Sequence, residues 1–198
     1  MTRRHGYHHG DLRPALLRAA LELLDAEGPE GVTIRAVARR ASVSHAAPAN
    51  HFADRGELLT ALATTLFQDL DTRIARALAR GARPPVERVR AFADALLRFG
   101  LAAPNRYRLL WRRDLLDLRD AALASAMDAI YDRLVAELAA LPGRRPHGPD
   151  TYAIALWSLV HGYLSMRIDG TFVARTDPVS GVPRERAIVD ALLGAPPG

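Results

Sequence analysis

Hydroxyl, imidazole, amide and guanidinium side chains are concentrated in one short stretch of the sequence, residues 33–55. His45 and Asn50 can hydrogen bond to the donors and acceptors on the edge of a nucleic acid base. The hydroxyl groups, His51 and Arg55 suit phosphate oxygens, which position a protein on a duplex without reading its sequence. A small residue lets the backbone lie close to a groove. The candidate contacts are Thr33, Ser44, His45, Ala46, Asn50, His51 and Arg55.

The sequence offers no comparable set of residues for catalysis. It contains no cysteine, which excludes a disulfide, a thiolate metal site and a cysteine nucleophile. It has no G-x-S-x-G elbow, no phosphate-binding glycine loop and no carboxylate pair in a motif-like context. The adjacent His8 and His9 lack a second cluster at ligand spacing. We therefore expect no metal, no cofactor and no enzymatic activity.

The candidate contacts lie on a pattern of short helices. Thr33 follows the glycine- and proline-rich residues 28–31 and is a good N-cap for a helix. Residues 42–44 then interrupt the helix, and Ser44 is placed to cap a second short helix over residues 45–52. Asp54 favours a third helix start. The apolar stripe of the first of these helices is Ile34, Val37, Ala38 and Ala41.

Residues 33–59, which we call the helix-turn-helix segment, therefore have the order helix, tight turn, short helix and new helix start. This order is typical of DNA-binding helix-turn-helix modules. An ordinary helical hairpin fits the same pattern.

The segment and its flanks resemble the TetR-type family of bacterial transcriptional regulators. In that family a first helix ends at a glycine break and is followed by a Thr-capped helix, a Val-Ser turn, a His-Phe pair and an apolar helix start. The corresponding elements are residues 12–24 and 28–31, Thr33-Ile34, Val43-Ser44, His51-Phe52 and Leu58-Leu59. Three further motifs resemble one branch of the family: residues 7–12, Ala46-Ala47-Pro48, and Trp157 with His161-Gly162.

The sequence departs from the family pattern at two positions, Ala49 and Arg55, and Pro48 constrains the second short helix. Ala49 stands where the family usually has an aromatic phosphate donor, which predicts a change in affinity or register. Arg55 replaces the usual lysine and keeps a cation. Pro48 is tolerated only in or near the first turn of a helix.

The rest of the chain predicts an all-α protein, because long alanine and leucine runs alternate with glycine and proline clusters. We predict a three-helix helix-turn-helix DNA-binding module at residues 1–53. The resemblance implies that residues 54–198 form a larger helical domain for effector binding and dimerisation. The predicted helices of this domain cover residues 55–79, 85–102, 105–111, 118–141, 150–168 and 183–193.

Net charge and hydropathy give only weak information about which partners the protein binds. The net charge of +5 is compatible with an anionic partner, although residues 1–60 are only slightly basic. No uninterrupted apolar run of about eighteen residues is present, so we expect no membrane span. A cytoplasmic protein is the default expectation. Arg3, Arg4 and three nearby histidines form a basic N-terminal arm that suits a minor groove or phosphates, and a disordered tail fits equally well.

The resemblance places an effector cavity among the middle helices. Such a cavity should be mostly apolar with few polar anchors, which suits a small hydrophobic or amphipathic molecule. Helical spacing fits ordinary core packing just as well, and a histidine among apolar neighbours is commonly a hydrogen-bonded core residue. The candidate effector contacts are Phe92, Leu96, Phe99, Tyr107, Trp111, Tyr131, Trp157 and His161.

The last two predicted helices carry more apolar side chains than the end of a short chain easily buries. The resemblance assigns the homodimer interface to these helices, although the same residues could simply close the core of one subunit. We expect a ligand-responsive DNA-binding regulator, usually a repressor, that binds a double-stranded operator. The alternative is a helical architectural protein that binds DNA without sensing a small molecule.

Overall fold

The computed structural model describes residues 12–143 and 146–194. Within these ranges the chain forms eight α-helices and one short 3₁₀ helix. The elements are α1 Leu12–Gly31, α2 Ile34–Arg40, the 3₁₀ helix Ala47–Asn50, α3 Arg55–Leu78, α4 Pro85–Ala102, α5 Pro104–Leu110, α6 Ala121–Ala139, α7 Pro149–Ile168 and α8 Arg184–Leu193. The all-α prediction is confirmed. The basic arm and residues 7–11 of the branch motif lie outside the described residues.

The prediction of the helix bounds was accurate to one or two residues for α3, α4, α7 and α8. Two bounds differ for local reasons. The helix predicted to begin at residue 118 begins at Ala121, because the Oδ1 atom of Asp120 accepts a 2.8 Å hydrogen bond from the backbone N of Leu123 and caps the helix there. The first helix extends beyond residue 24 to Gly31.

A break inside α1 explains its length. Gly28 has φ 76° and ψ −178°, a backbone conformation that glycine adopts without strain, and Pro29 opens a further helical turn. The glycine break predicted from the sequence is therefore present, and Gly28 separates the main part of α1 from the short helical turn that Pro29 opens.

The chain folds into two compact units. The first contains the described residues up to Leu66 together with Asn105–Ala124, and the second contains Phe67–Pro104 and the described residues from Ser125 onward. The chain passes from one unit to the other after Leu66, after Pro104 and after Ala124. The functional boundary between residues 53 and 54 stays a prediction, and α3 contributes to both units.

Each unit has its own apolar core. In the first unit Leu16, Val37 and Phe52 are almost fully buried. In the second unit Gly100 lets α4 approach α7 closely, since a Cβ atom at this position would lie 2.4 Å from the Cδ2 atom of Leu164.

Charged side chains join the helices of the second unit at its edge. Arg88 of α4 donates two hydrogen bonds to Glu137 of α6, at 2.6 and 2.5 Å. Arg90 of α4 donates one of 2.6 Å to Asp190 of α8. Such forked or partly buried pairs fix the register of one helix against another. None of the described helices combines the length and the apolarity that a membrane crossing needs.

Candidate nucleic-acid interface

The helix-turn-helix segment begins as its sequence predicts. The Oγ1 atom of Thr33 accepts a 3.1 Å hydrogen bond from the backbone N of Ala36, so Thr33 is the N-cap of α2. Val37 and Ala38 of α2 are buried, whereas Arg35 and Arg39 are exposed. The apolar stripe thus faces the core of the first unit and the cations face solvent.

The turn after α2 is a Schellman motif. The backbone N of Val43 donates to the oxygen of Ala38 at 3.0 Å, and that of Ser42 donates to the oxygen of Arg39 at 3.2 Å. The residue between the helix cap and Val43 must adopt a left-handed conformation in this motif, and Ser42 does so with φ 56°. The turn is therefore closed by backbone hydrogen bonds, with a serine at a position that favours glycine.

The second short helix differs from the prediction. It is one 3₁₀ turn, Ala47–Asn50, within the predicted residues 45–52. Its N-cap is Ala46, and no side-chain hydrogen bond caps it, so the prediction that Ser44 caps this helix through its side-chain oxygen was wrong. The backbone oxygen of Ser44 instead accepts a 3.1 Å hydrogen bond from the N of Ala47.

Pro48 explains why the turn forms at this place. It lies within the first two positions of the 3₁₀ helix, where a missing N–H leaves no hydrogen bond unmade, and its ring is buried. Its backbone oxygen accepts hydrogen bonds from the N atoms of His51 and Phe52, both at 2.9 Å. The constraint predicted for Pro48, tolerance only in the first turn, is met.

The start of α3 is fixed by two carboxylates. Asp54 accepts a 2.9 Å hydrogen bond from the backbone N of Glu57, and Glu57 accepts one of 2.6 Å from the backbone N of Ala53. This exchange is a variant of the capping box. It holds the linker between Phe52 and α3 in one conformation.

Arg55, the first residue of α3, reaches back to the turn between α1 and α2. Its Nε atom donates to the backbone oxygen of Val32 and its Nη2 atom to that of Pro29, both at 2.7 Å. Its side chain is partly buried. The phosphate contact that the sequence predicts for Arg55 stays a prediction.

Residues from α5 and the loop after it hold the far end of α1. Arg106 donates to both carboxylate oxygens of Asp25, at 2.7 and 2.6 Å, and Asn105 donates to the backbone oxygen of Asp25 at 3.1 Å. Arg112 donates to Glu30 at 2.5 Å and holds the pKa of that carboxyl below its ordinary value. No pattern in the sequence indicates these contacts, because the partners are about eighty residues apart in the chain.

Comparison with known proteins decides the family. The model described as "Tetracyclin repressor-like, C-terminal domain" matches residues 89–191, and "Bacterial regulatory proteins, tetR family" matches residues 16–62. The first match alone covers more than half of the chain. The protein belongs to the TetR family of bacterial transcriptional regulators. The branch suggested by the three further motifs stays a prediction.

Solved structures of other bacterial proteins share this fold. A protein of unknown function from Rhodococcus sp. RHA1 is 30% identical, with a TM-score of 0.77 over 95% of this chain and 94% of that chain. The TetR family regulator PfmR from Thermus thermophilus shares the fold at 19% identity, with a TM-score of 0.66 over 94% of this chain and 97% of that chain.

A curated relative matches a shorter stretch. The HTH-type transcriptional regulator BetI 1 of Chromohalobacter salexigens is 34% identical over 82 residues, which is 41% of this chain and 41% of that regulator. The chain therefore spans less than half of the length of this relative.

In this TetR family regulator, most of the predicted DNA contacts are accessible. The exposed ones are Thr33, Ser44, His45, Ala46 and Asn50, whereas His51 and Arg55 are partly buried. Beneath them, Pro48 and Phe52 are buried. The segment is thus anchored through its apolar residues and presents its polar ones to solvent.

The predicted effector contacts divide between the two units. Tyr107 and Trp111 belong to the first unit, with ring centroids 5.8 Å apart, and burial raises the pKa of the Tyr107 phenol. The other six belong to the second unit, where Phe92, Leu96 and Phe99 are buried and Tyr131, Trp157 and His161 are half-buried.

One predicted effector contact has a shifted ionisation. Burial lowers the pKa of His161, so its imidazole is neutral at pH 7. A neutral imidazole can act as both hydrogen-bond donor and acceptor.

Proposed function

We propose that this TetR family protein is a homodimeric, ligand-responsive regulator that binds a double-stranded DNA operator and is released by a small hydrophobic or amphipathic effector. The observation that supports DNA binding most directly is the exposure of His45, Ala46 and Asn50 around a buried Pro48. A rigid support beneath exposed polar groups is what sequence readout in a major groove requires. No catalytic role is part of the proposal.

The proposed DNA contacts have different roles. His45 and Asn50 read base edges, and Ala46 lets the backbone approach the groove. Thr33, Ser44 and His51 bind phosphates and so position the protein on the duplex. Arg55 does the same with the donors that its bonds to Val32 and Pro29 leave free. Arg35 and Arg39 join this set because both are exposed on α2, the helix that Thr33 caps.

The proposed dimer interface lies on α7 and α8. On α7, Ile154 is 58% exposed and Met166 is 37% exposed, so this helix presents large apolar side chains to solvent. A Cβ atom at Gly162 would meet no atom within 4 Å, so the helix backbone is open to close approach at that point. A two-fold pairing of this face would present two helix-turn-helix segments to DNA, as half-sites about 34–36 Å apart require.

The proposed release by effector depends on how the chain connects the two units. Residues 105–124 belong to the same compact unit as the helix-turn-helix segment, although α4 before them and the part of α6 from Ser125 onward belong to the other. An effector that shifts α4 or α6 would pull on this insert, and Arg106 and Arg112 would pass the shift to Asp25 and Glu30 of α1. Apart from this coupling, the proposed function includes a cytoplasmic location.

The test starts by selecting duplexes that bind the full-length protein from a random pool. A regulator should enrich a palindromic sequence with two half-sites, whereas an architectural protein should enrich none. His45→Ala and Asn50→Ala should each weaken binding to the enriched operator by about 1–3 kcal/mol and relax the preference at one base pair per half-site. Arg113→Gln, an exposed change outside the helix-turn-helix segment, serves as the control.

The result can contradict each part of the proposal separately. Equal binding to the operator and to scrambled duplexes would exclude sequence-specific regulation. Unchanged preference in a folded Asn50→Ala protein would remove Asn50 from the base contacts. Operator binding that no hydrophobic or amphipathic compound weakens would favour the architectural alternative.

A further inference from the structure

A cleft of about 510 Å³ lies between the second half of α3 and the second half of α4, entirely within the second unit. This volume falls in the range of small-molecule sites, roughly 300–1,000 Å³. One face of α4 forms one side of the cleft, and one face of α3 together with Arg80, which follows the end of α3 at Leu78, forms the other. The lining residues are Arg73, Arg76, Ala77 and Arg80 on one side and Ala95, Arg98, Phe99 and Ala102 on the other.

The rim of this arginine cleft carries an excess of positive charge, which Asp94 offsets in part because its carboxylate and Arg98 attract each other. Arg73 donates a 2.9 Å hydrogen bond to Asp69. For Arg76, Arg80 and Arg98, no carboxylate lies within salt-bridge distance anywhere in residues 12–143 and 146–194. Like charges three or four residues apart on one helical face repel each other. A bound anion would relieve this repulsion.

The floor of the cleft is apolar. Phe99 is 4% exposed and Ala95 is 6% exposed, so both belong to the core and present only an edge to the cleft. The guanidinium carbon of Arg73 lies 5.9 Å from the centroid of the Phe99 ring. Alanines on both sides keep the space between the helices open. A cationic rim above an aromatic and aliphatic floor matches a molecule with one charged end and one apolar part.

We propose that this cleft binds an amphipathic anion whose carboxylate or phosphate is held by Arg76, Arg80 and Arg98 and whose apolar part lies over Phe99. Guanidinium groups suit both oxyanions, because they donate two parallel hydrogen bonds in a fixed geometry. This inference rests on the proposed function, and it assigns the effector to one chemical class, the amphipathic anions. Of the residues that line the cleft, Phe99 alone is also one of the effector contacts predicted from the sequence.

The test is isothermal titration of the full-length protein, without DNA, using decyl phosphate below its micelle concentration. Decanol, which lacks the charge, and inorganic phosphate, which lacks the apolar chain, serve as comparison probes. We expect decyl phosphate to bind more tightly than either, with an affinity that falls as salt rises. Arg98→Gln and Arg76→Gln should each weaken it by about tenfold, since each removes a charged hydrogen-bond donor. Arg113→Gln, outside the cleft, should bind as the unaltered protein does.

Several results would overturn the proposal: no binding of decyl phosphate, equal binding of decanol, equal binding of inorganic phosphate, or unaltered affinity in both folded cleft variants. Failure of the protein to select an operator would refute the proposed function but would not change these isotherms. If decyl phosphate fills the cleft and leaves operator affinity unchanged, the site is supported and its role as the effector site is refuted.

Discussion

The Nε atom of Arg55 donates a 2.7 Å hydrogen bond to the backbone oxygen of Val32, and this bond joins the first residue of α3 to the residue just before the cap of α2. A second bond from the same guanidinium, to the oxygen of Pro29, has the same length. Arg55 therefore braces the helix-turn-helix segment from within its own unit. This role requires two donors in a fixed geometry, which a lysine does not have.

Replacing Arg55 with lysine separates its bracing role from its charge. Arg55→Lys keeps a cation for phosphate but cannot span both carbonyl oxygens. We expect the free energy of unfolding to fall by about 1–3 kcal/mol, the cost of a partly buried acceptor left without its donor. Urea denaturation followed by circular dichroism measures the change, and operator titrations at several salt concentrations measure the phosphate contact.

The matched control for this experiment is Arg39→Lys, because Arg39 is exposed on α2. Its stability should stay within about 0.5 kcal/mol of the unaltered protein. Unchanged stability in Arg55→Lys would show that the two carbonyl contacts contribute nothing measurable. If Arg55 is also a phosphate contact, Arg55→Gln should reduce the salt slope by about one unit.

The left-handed Ser42 predicts a stabilising substitution. Ser42→Gly should raise the free energy of unfolding by about 0.5–1 kcal/mol, since glycine has no Cβ atom that would clash with the backbone at φ 56°. Thermal melts detect a change of this size. Ser44→Gly is the control: Ser44 lies outside the left-handed region, so glycine there should lower stability by about 0.4–1 kcal/mol. A Ser42→Gly protein less stable than the unaltered one would contradict the strain assigned to this turn.

The exposed face of α7 predicts which substitution separates the subunits. Ile154→Asp should raise the dimer dissociation constant by at least about tenfold, because it would bury an unpaired charge in an apolar interface. Sedimentation equilibrium gives the constant directly. Val179→Asp is the matched control, since Val179 is 95% exposed but lies between α7 and α8 rather than on them. A dimer unaffected by Ile154→Asp, or weakened equally by both changes, would show that the interface does not lie on this face of α7.

A half-buried carboxyl on α4 predicts a pH dependence of stability. Burial raises the pKa of Asp94 above its ordinary value of 3.8, although Arg98 and Arg186 act in the opposite direction. The folded state therefore holds this proton more tightly than the unfolded state. Its contribution is fully present below the ordinary pKa and is lost as the pH rises through the raised one. The nearby Glu87 and Glu185 add to the shift.

Asp94→Asn removes this titration. The variant should be more stable than the unaltered protein at pH 7, and its stability should fall less as the pH rises from 3.8. Chemical denaturation across this pH range measures both effects. Asp128→Asn, an exposed change on α6, should leave the curve unaltered. If the stability of Asp94→Asn changes with pH in the same way as that of the unaltered protein, Asp94 has the same pKa in the folded and the unfolded state.

The sequence was sufficient to predict most of the helices and the family. Thr33 caps α2 and Asp54 caps α3 as predicted, and prolines stand at or beside the starts of α4, α5, α7 and α8. These features act over about four residues, so the local sequence contains all of the interacting groups. The predicted cap by Ser44 was wrong, and it concerns a turn in which Pro48 and backbone hydrogen bonds replace the side chain.

Contacts between distant parts of the chain were decided by the tertiary structure alone. The bonds of Arg55 to Val32 and Pro29, the fork of Arg106 on Asp25 and the arginine cleft between α3 and α4 each depend on which helical faces meet. Helical periodicity shows that a residue lies on a given face, but not which element packs against that face. For that reason the sequence identified Arg55 as a cation and Phe99 as a ring that could contact an effector or pack in the core, whereas only the folded chain gave each of them its neighbours.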